Sequence, residues 1–275
     1  MNNNDRPKVI VVGLNTGKDR GTLQSFIDEL HSLIEAAGGR AVATLVQSLN
    51  KAHTATYIGK GKLEELKHLV EELEPDLLVF DGELSPLQLR NLEKEISVRI
   101  IDRTMLILEI FRQRARSREG MLQVELANLQ YQLPRLTGTG RELSRLGGGI
   151  GTRGAGEQKL ELDRRHIRKR IQEIKRQMQK VEKTRQLHRK QRERAGLKTV
   201  SLVGYTNAGK SALFNAMCRA AHTSRTKQVK ANSRLFQTLD TTTRKITLPS
   251  GLNILITDTV GFIQDLPHSL VAAFR

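Results

Sequence analysis

Residues 199–217, TVSLVGYTNAGKSALFNAM, run from a β-type stretch through G-x-x-x-x-G-K-S, Gly204 to Ser211, into an apolar-periodic helix. Strand, glycine-bearing turn and helix start together make an anion cradle. Consecutive backbone N–H groups surround phosphate oxygens, Lys210 reaches the β and γ phosphates, and the Ser211 hydroxyl ligates magnesium. A second constellation follows. ILIT, 254–257, reads as a strand delivering Asp258 of DTVGF to the metal side of the site, where its carboxylate holds magnesium through water. Gly261 brings a backbone N–H up to a γ-phosphate without a side-chain clash. Between the motifs, LFQTLDTTTRK offers Thr238, Thr241, Thr242 and Thr243 as hydroxyls able to close on the metal only when a γ-phosphate is present. Spacing does not choose among them, and a threonine-rich surface loop accounts for the same residues.

Ahead of this segment the chain changes pattern twice. From Val9 to Ile101, short β-rich runs (VIVV 9–12, AVATLV 41–46, LLVF 77–80, VRII 98–101) alternate with helix-period segments near 22–37, 62–73 and 86–96. Such alternation predicts an α/β domain with a mostly parallel sheet. Within it, YIGKGKLEEL, 57–66, sets two glycines and two lysines before a helix. A phosphate cradle is one reading. A lone G-x-G carries little information, and an ordinary loop with a helix start is preferred to a second nucleotide site.

In the middle third, Phe111, Ala115, Leu122, Leu126, Leu129 and Leu133 fall on one helical stripe ending at Pro134, and Leu160, Ile167, Ile171, Ile174, Met178 and Val181 on another. Two long helices paired antiparallel are expected, the second over 157–194 and about 55 Å long at 1.5 Å per residue. Between them TGTGRELSRLGGGIGTRGAGE, 137–157, carries eight glycines and Arg141, Arg145 and Arg153. Glycine permits close backbone approach, and arginine offers a planar fork for phosphates and a face for base stacking. At the end of a basic rod that combination suits a probe into folded RNA. A flexible hairpin between two solvated coiled-coil helices is the plainer alternative.

Charge favours the RNA reading. The chain carries +17 in all, and residues 103–198 hold 25 Lys+Arg against 10 Asp+Glu, so nearly the whole excess lies in the middle third. An imbalance of that size attracts polyanions, nucleic acid or anionic lipid. The basic helices lack the bulky aromatic anchors of membrane-surface helices. No stretch approaches the roughly 20 apolar residues of a membrane span, and MNNNDRPK lacks a signal-peptide core. Cys218 is the single cysteine, which excludes an intrachain disulfide and a cysteine-rich zinc site. A cytosolic, monomeric protein is the expectation.

The motifs GYTNAGKS, LFQTLD, DTVGF with the following DLPHSLVAAF, and GGGIGTRGAGE with the downstream DRR resemble the HflX family of translational GTPases. The resemblance runs from the N-terminal region, including YIGKGK and LSPLQLRNLE, to Arg275. It implies an α/β protein of three parts: an N-terminal α/β domain at 1–103, a basic antiparallel helical hairpin at 104–198 with its glycine-rich tip loop, and a P-loop GTPase domain at 199–275. It implies GTP and Mg2+ as ligands, and the large ribosomal subunit with its RNA as partner, in the splitting or rescue of stalled or idle ribosomes. Nucleotide contacts carried over fall on Gly204, Tyr205, Thr206, Asn207, Ala208, Gly209, Lys210 and Ser211, on Phe236, Gln237, Thr238, Leu239 and Asp240, and on Asp258, Thr259, Val260 and Gly261. Lys210 and Gly261 would serve catalysis. Magnesium would be held by Ser211 and Thr238 directly and by Asp258 through water, and Arg141, Arg145 and Arg153 would face RNA.

An apolar Phe262 follows the glycine, as in the family, where many signalling GTPases carry a water-orienting glutamine. Slow hydrolysis is implied until the ribosome completes the site. Departures from the family pattern are Ala212 after GKS, Gln237 and Thr241 in the switch, Ala155 in the tip, and a longer, more basic 218–235. No serviceable N-K-x-D or S-A-[KL] is present, so the chain reads as a GTPase domain cut short. Weakened nucleotide affinity, lost guanine preference and a marginally stable last third are expected. The rival reading is an RNA- or ribosome-binding fragment that docks without hydrolysing GTP.

Overall fold

The first hundred residues fold as their alternating patterns predict. β1 (Lys8–Asn15) reads as an unbroken apolar run because a parallel sheet is covered on both faces, and Val9, Ile10, Val11 and Val12 are all buried. It pairs in parallel with β2 (Arg40–Ser48) and β3 (Leu77–Phe80), and β3 pairs in parallel with β4 (Arg99–Asp102), giving the order β2-β1-β3-β4. The returns are made by α1 (Arg20–Ala36), α2 (Lys60–Leu73) and α3 (Pro86–Glu95). LSPLQL starts α3 by local chemistry. The Gln88 N–H donates to Ser85 Oγ at 3.2 Å, the Ser85 N–H donates to Gln88 Oε1 at 2.8 Å, and Pro86 sits at the first helical position. Such a cap is worth about 1 kcal/mol. This computed structural model describes residues 6–17, 20–136, 155–221, 235–236 and 239–264.

Two carboxylates close the carboxyl ends of β3 and β4, Asp81 half-buried and Asp102 buried. Asp81 accepts the Leu14 N–H at 3.0 Å and the Tyr57 hydroxyl at 2.6 Å. Burial pushes its pKa up, and the bond from Tyr57 works against that rise. Tyr57→Phe would remove the compensation, at about 1–3 kcal/mol for a buried acceptor left short of a donor. The sign with pH follows. With its native pKa raised above the unfolded value, Asp81 binds its proton more tightly in the folded state, so stability falls as pH rises through that window. Losing the Tyr57 donor widens the window. Urea unfolding of Tyr57→Phe is expected to show a larger deficit at pH 7 than at pH 4, and an equal deficit at both would refute the assignment. Asp102, 2 % exposed, accepts from the N–H groups of Leu84 and Met105, from the Tyr131 hydroxyl and from Arg135 Nη2 at 3.1 Å.

Three helices follow: α4 (Arg103–Arg114), α5 (Arg118–Arg135) and α6 (Ala155–Arg194). The stripe expected on one helix to Pro134 is carried by two, and α5 continues one residue past that proline. α6 is the single long helix expected, 40 residues. Its apolar stripe from Leu160 to Val181 is its less exposed face, with Ile171 and Ile174 buried, and nearly every residue from Glu182 onward is exposed. Among the described residues no helix is long and apolar enough to cross a membrane.

A second sheet holds β5 (Lys198–Leu202), β6 (Thr242–Thr247) and β7 (Asn253–Asp258) in the order β5-β7-β6, with β5 and β7 parallel and β6 antiparallel to β7. Phe214 of α7 (Lys210–Ala220) packs with Ile246, Ile254 and Ile256 as its core. The chain divides into two compact units: Met1–Glu109 with Ala127–Ile171, and Ile110–Leu126 with Gln172–Arg275.

Candidate nucleotide-binding site

The loop 204–211 joins β5 to α7 as the sequence predicts. The loop takes positive φ at Gly204 (154°), at Asn207 (60°) and at Gly209 (82°), the last immediately before the first residue of α7. Asparagine tolerates that conformation and glycine meets no Cβ barrier. Lys210 bends back across its own loop, donating from Nζ to the carbonyls of Gly204 at 3.0 Å and Tyr205 at 2.7 Å. Burial lowers its pKa, and the nearby charge of Asp258 opposes that shift and favours the ammonium.

The DTVGF segment meets the loop directly. β7 ends at Asp258, which lies beside Leu202 of β5 and Thr242 of β6 and is fully buried. Ser211 Oγ donates to Asp258 Oδ2 at 2.7 Å, so two of the three groups assigned to the metal by sequence stand together. The Thr259 hydroxyl donates to the Leu202 carbonyl at 2.6 Å and fixes the turn after the strand. Phe262 then zips onto the loop through its backbone: the Thr206 N–H donates to Phe262 O at 2.7 Å, and the Phe262 N–H donates to Gly204 O at 3.0 Å. Its ring stays 52 % exposed, which separates the anchoring role of its backbone from any role of its side chain. Gly261 is required by space. A Cβ there would lie 2.6 Å from Thr206 Cα and 2.7 Å from Thr206 N, both backbone atoms.

The described residues between the motifs from Leu235 on make contacts elsewhere in the same unit. Leu235, Phe236 and Leu239 are buried, and the Phe236 ring stands edge-on to Phe111 of α4 with centroids 4.6 Å apart. Asp240 Oδ2 accepts the N–H groups of Arg116 and Ser117, each at 2.9 Å, and Oδ1 accepts the Ser117 hydroxyl. Sequence reading assigned Phe236, Leu239 and Asp240 to nucleotide and missed these helix partners, because nothing local marks a contact spanning more than 120 residues. Gln237 and Thr238, and the RNA candidates Arg141, Arg145 and Arg153, lie outside the described residues, as does DLPHSLVAAF.

Three family models match in succession: "GTP-binding GTPase N-terminal" over 24–112, "GTP-binding GTPase Middle Region" over 114–192 and "50S ribosome-binding GTPase" over 199–275. Proteins named GTPase HflX are 51 % identical over 271 residues in Alkalihalophilus pseudofirmus and 46 % identical over 258 residues in Escherichia coli, matches covering 98 % and 94 % of this chain. The chain belongs to the HflX GTPase family. It spans 62 % of the length of the first of these HflX relatives and 58 % of the second. Two solved structures share the fold, a GTP-binding protein from Sulfolobus solfataricus in complex with GDP (TM-score 0.51, 22 % identity) and SsGBP in a GDP complex (TM-score 0.53, 24 % identity). Each covers 97 % of this chain, which in turn covers 65 % and 66 % of theirs. The α/β class expected from the sequence is thereby shown.

Proposed function

We propose that this chain is the nucleotide-binding and ribosome-engaging part of a GTPase that binds the large ribosomal subunit and acts in the splitting or rescue of stalled or idle ribosomes. The observation that carries the nucleotide half is the meeting of Ser211 and Asp258 at 2.7 Å beside the loop 204–211. A hydroxyl and a carboxylate side by side are the hard oxygen donors that magnesium takes, so the residues fit the ion. Ser211 would bind it directly and Asp258 through water, with Thr238 as the third donor. When bound, the ion would neutralise charge on the transferred phosphoryl oxygens.

The chain's own groups do the rest. Backbone N–H groups from Asn207 to Ser211 cradle the phosphates, and Lys210 exchanges its two carbonyl partners for phosphate oxygens, which as charge-assisted bonds are stronger. Gly261 offers its N–H to the γ-phosphate. No side chain of DTVGF orients water, since Phe262 is apolar and outward, so hydrolysis waits for a group supplied by the ribosome. The basic helix α6 supports the RNA half, with Arg185 and Arg189 among its exposed cations.

Co-sedimentation of the 275-residue chain with isolated large subunits, with and without GTP, tests both halves. Pelleting should weaken steeply with salt, as phosphate contacts require. GTP turnover should rise at least roughly tenfold on adding subunits, the scale of one completed catalytic contact. Lys210→Ala should end turnover. Equal pelleting by both proteins with no turnover in either would favour a docking fragment without catalysis, and no pelleting at low salt would sink the ribosomal assignment.

A further inference from the structure

The contact between Asp240 and the start of α5 has the form of a clasp. The peptide N–H groups of Arg116 and Ser117, which would have to turn inward for α4 and α5 to be one helix, point instead to a single carboxylate oxygen at 2.9 Å. Ser117, whose hydroxyl donates to the other oxygen, also accepts the Gly120 N–H at 2.9 Å and so caps the new helix. Burial pushes the Asp240 pKa up, but the bonds from Ser117 and Arg116 outweigh it and the carboxyl sits below its ordinary value. The fit is tight on the helix side as well, since a Cβ at Gly120 would stand 2.7 Å from Asp240 Oδ1. Phe236, four residues earlier, is packed on Phe111 of α4. Thr238 lies midway in sequence between these two anchors.

We propose that Asp240 is a positioning residue that latches the Thr238-bearing segment to the first turn of α5, so that occupancy of the loop 204–211 and order at the start of α5 are linked. The linkage rests on the nucleotide reading above; the latch itself does not. Phe236 on α4 and Asp240 on α5 cannot change their distance from the phosphate loop without straining or releasing those contacts, and whatever moves Asp240 is felt at Arg116 and Ser117. Coupling of this kind needs a differential contact between two states, and three hydrogen bonds to one carboxylate supply it.

Amide hydrogen exchange on the whole 275-residue chain decides the matter. Without nucleotide, Asp240→Ala should speed exchange at Arg116 and Ser117 by roughly tenfold, the worth of a charge-assisted bond, and at Leu239 and Thr241 with them. Asp240→Asn, which keeps one oxygen for the two backbone donors, should retain most of the protection. Gly120→Ala should speed the same amides even though alanine favours a helix interior, so loosening there cannot come from weaker helix propensity. Unchanged exchange at Arg116 and Ser117 in both alanine variants would overturn the latch. Adding GTPγS with Mg2+ should alter protection at Arg116 and Ser117 by about threefold or more in the unsubstituted chain and not in Lys210→Ala. Retained GTPγS with no change at those amides defeats the linkage. A chain that fails to retain GTPγS defeats the nucleotide reading and the linkage with it, while the comparison without nucleotide still decides the latch.

Discussion

Gly261→Ala is expected to lower the affinity of the chain for fluorescent GDP or GTP by roughly 10- to 100-fold, the scale of a 1–3 kcal/mol overpacking penalty. The added methyl would arrive 2.6 Å from Thr206 Cα and 2.7 Å from Thr206 N and Cγ2. Two of those atoms are backbone, and the peptide they belong to is part of the loop that would hold phosphate. A flexible side chain could swing away at small cost, whereas this backbone is fixed on one side by β5 and on the other by the Thr206 to Phe262 hydrogen bond. Relief requires breaking that bond, moving the loop or moving the Asp258 turn, and each disturbs the cradle. Phe262→Ala is the matched control. It keeps both backbone bonds and removes a largely exposed ring, so its affinity should stay within about twofold, the range of ordinary surface changes. An equal loss in both variants would show that the ring, not the close approach of Gly261, organises the site.

Why Gly261 must be glycine was only half legible in the sequence. DTVGF announced a close backbone approach, and the natural inference was approach to a phosphate. The structure adds that Gly261 lies against Thr206, so the two phosphate motifs are in van der Waals contact with each other. Local pattern served well wherever a local cause decides the outcome. β1 was visible because a strand covered on both faces must be apolar throughout, α3 because Ser85, Pro86 and Gln88 are all helix-start residues, and the P-loop because glycines, lysine and serine each have a fixed task there.

Pattern failed where a distant group overrides it. The stripe from Phe111 to Leu133 is continuous in period, and nothing in ALA-ARG-SER forbids a helix, yet Asp240 captures the N–H groups of Arg116 and Ser117 and splits the helix in two. The same holds for Tyr57. It adopts φ 67°, unusual for a bulky residue, and its hydroxyl bonds Asp81 across 24 residues. Both contacts involve a carboxylate satisfying donors far away in the chain. Carboxylates buried or half-buried in this protein therefore carry information about tertiary structure that neither hydropathy nor periodicity registers.

Asp102→Ala should be the most destabilising of the substitutions considered, by about 3–5 kcal/mol, because it removes the buried carboxylate partner of a nearly buried cation. Arg135 is 10 % exposed in its side chain and lies 3.1 Å from Asp102. Its other acidic neighbour, Glu83, is 3.8 Å away and half exposed. The Arg135 guanidinium also lies over the Tyr131 ring at 3.3 Å from its centroid, and the Tyr131 hydroxyl shares the Asp102 carboxylate. Removing the carboxylate thus leaves a cation, a phenol and two backbone donors, Leu84 and Met105, short of an acceptor at once. Removing both charged partners is a different case. Asp102→Ala with Arg135→Met deletes the stranded cation and fills its path with an apolar chain, and buried pairs replaced whole are often close to neutral. Urea unfolding should therefore show the double variant recovering at least about 1 kcal/mol over Asp102→Ala alone, a coupling typical of groups sharing one network. Additive losses would mean that Asp102 acts chiefly through the amides of Leu84 and of Met105 in the first turn of α4, and that Arg135 finds its compensation in the carbonyls of Leu84 and Tyr131, in Glu83 and in the Tyr131 ring.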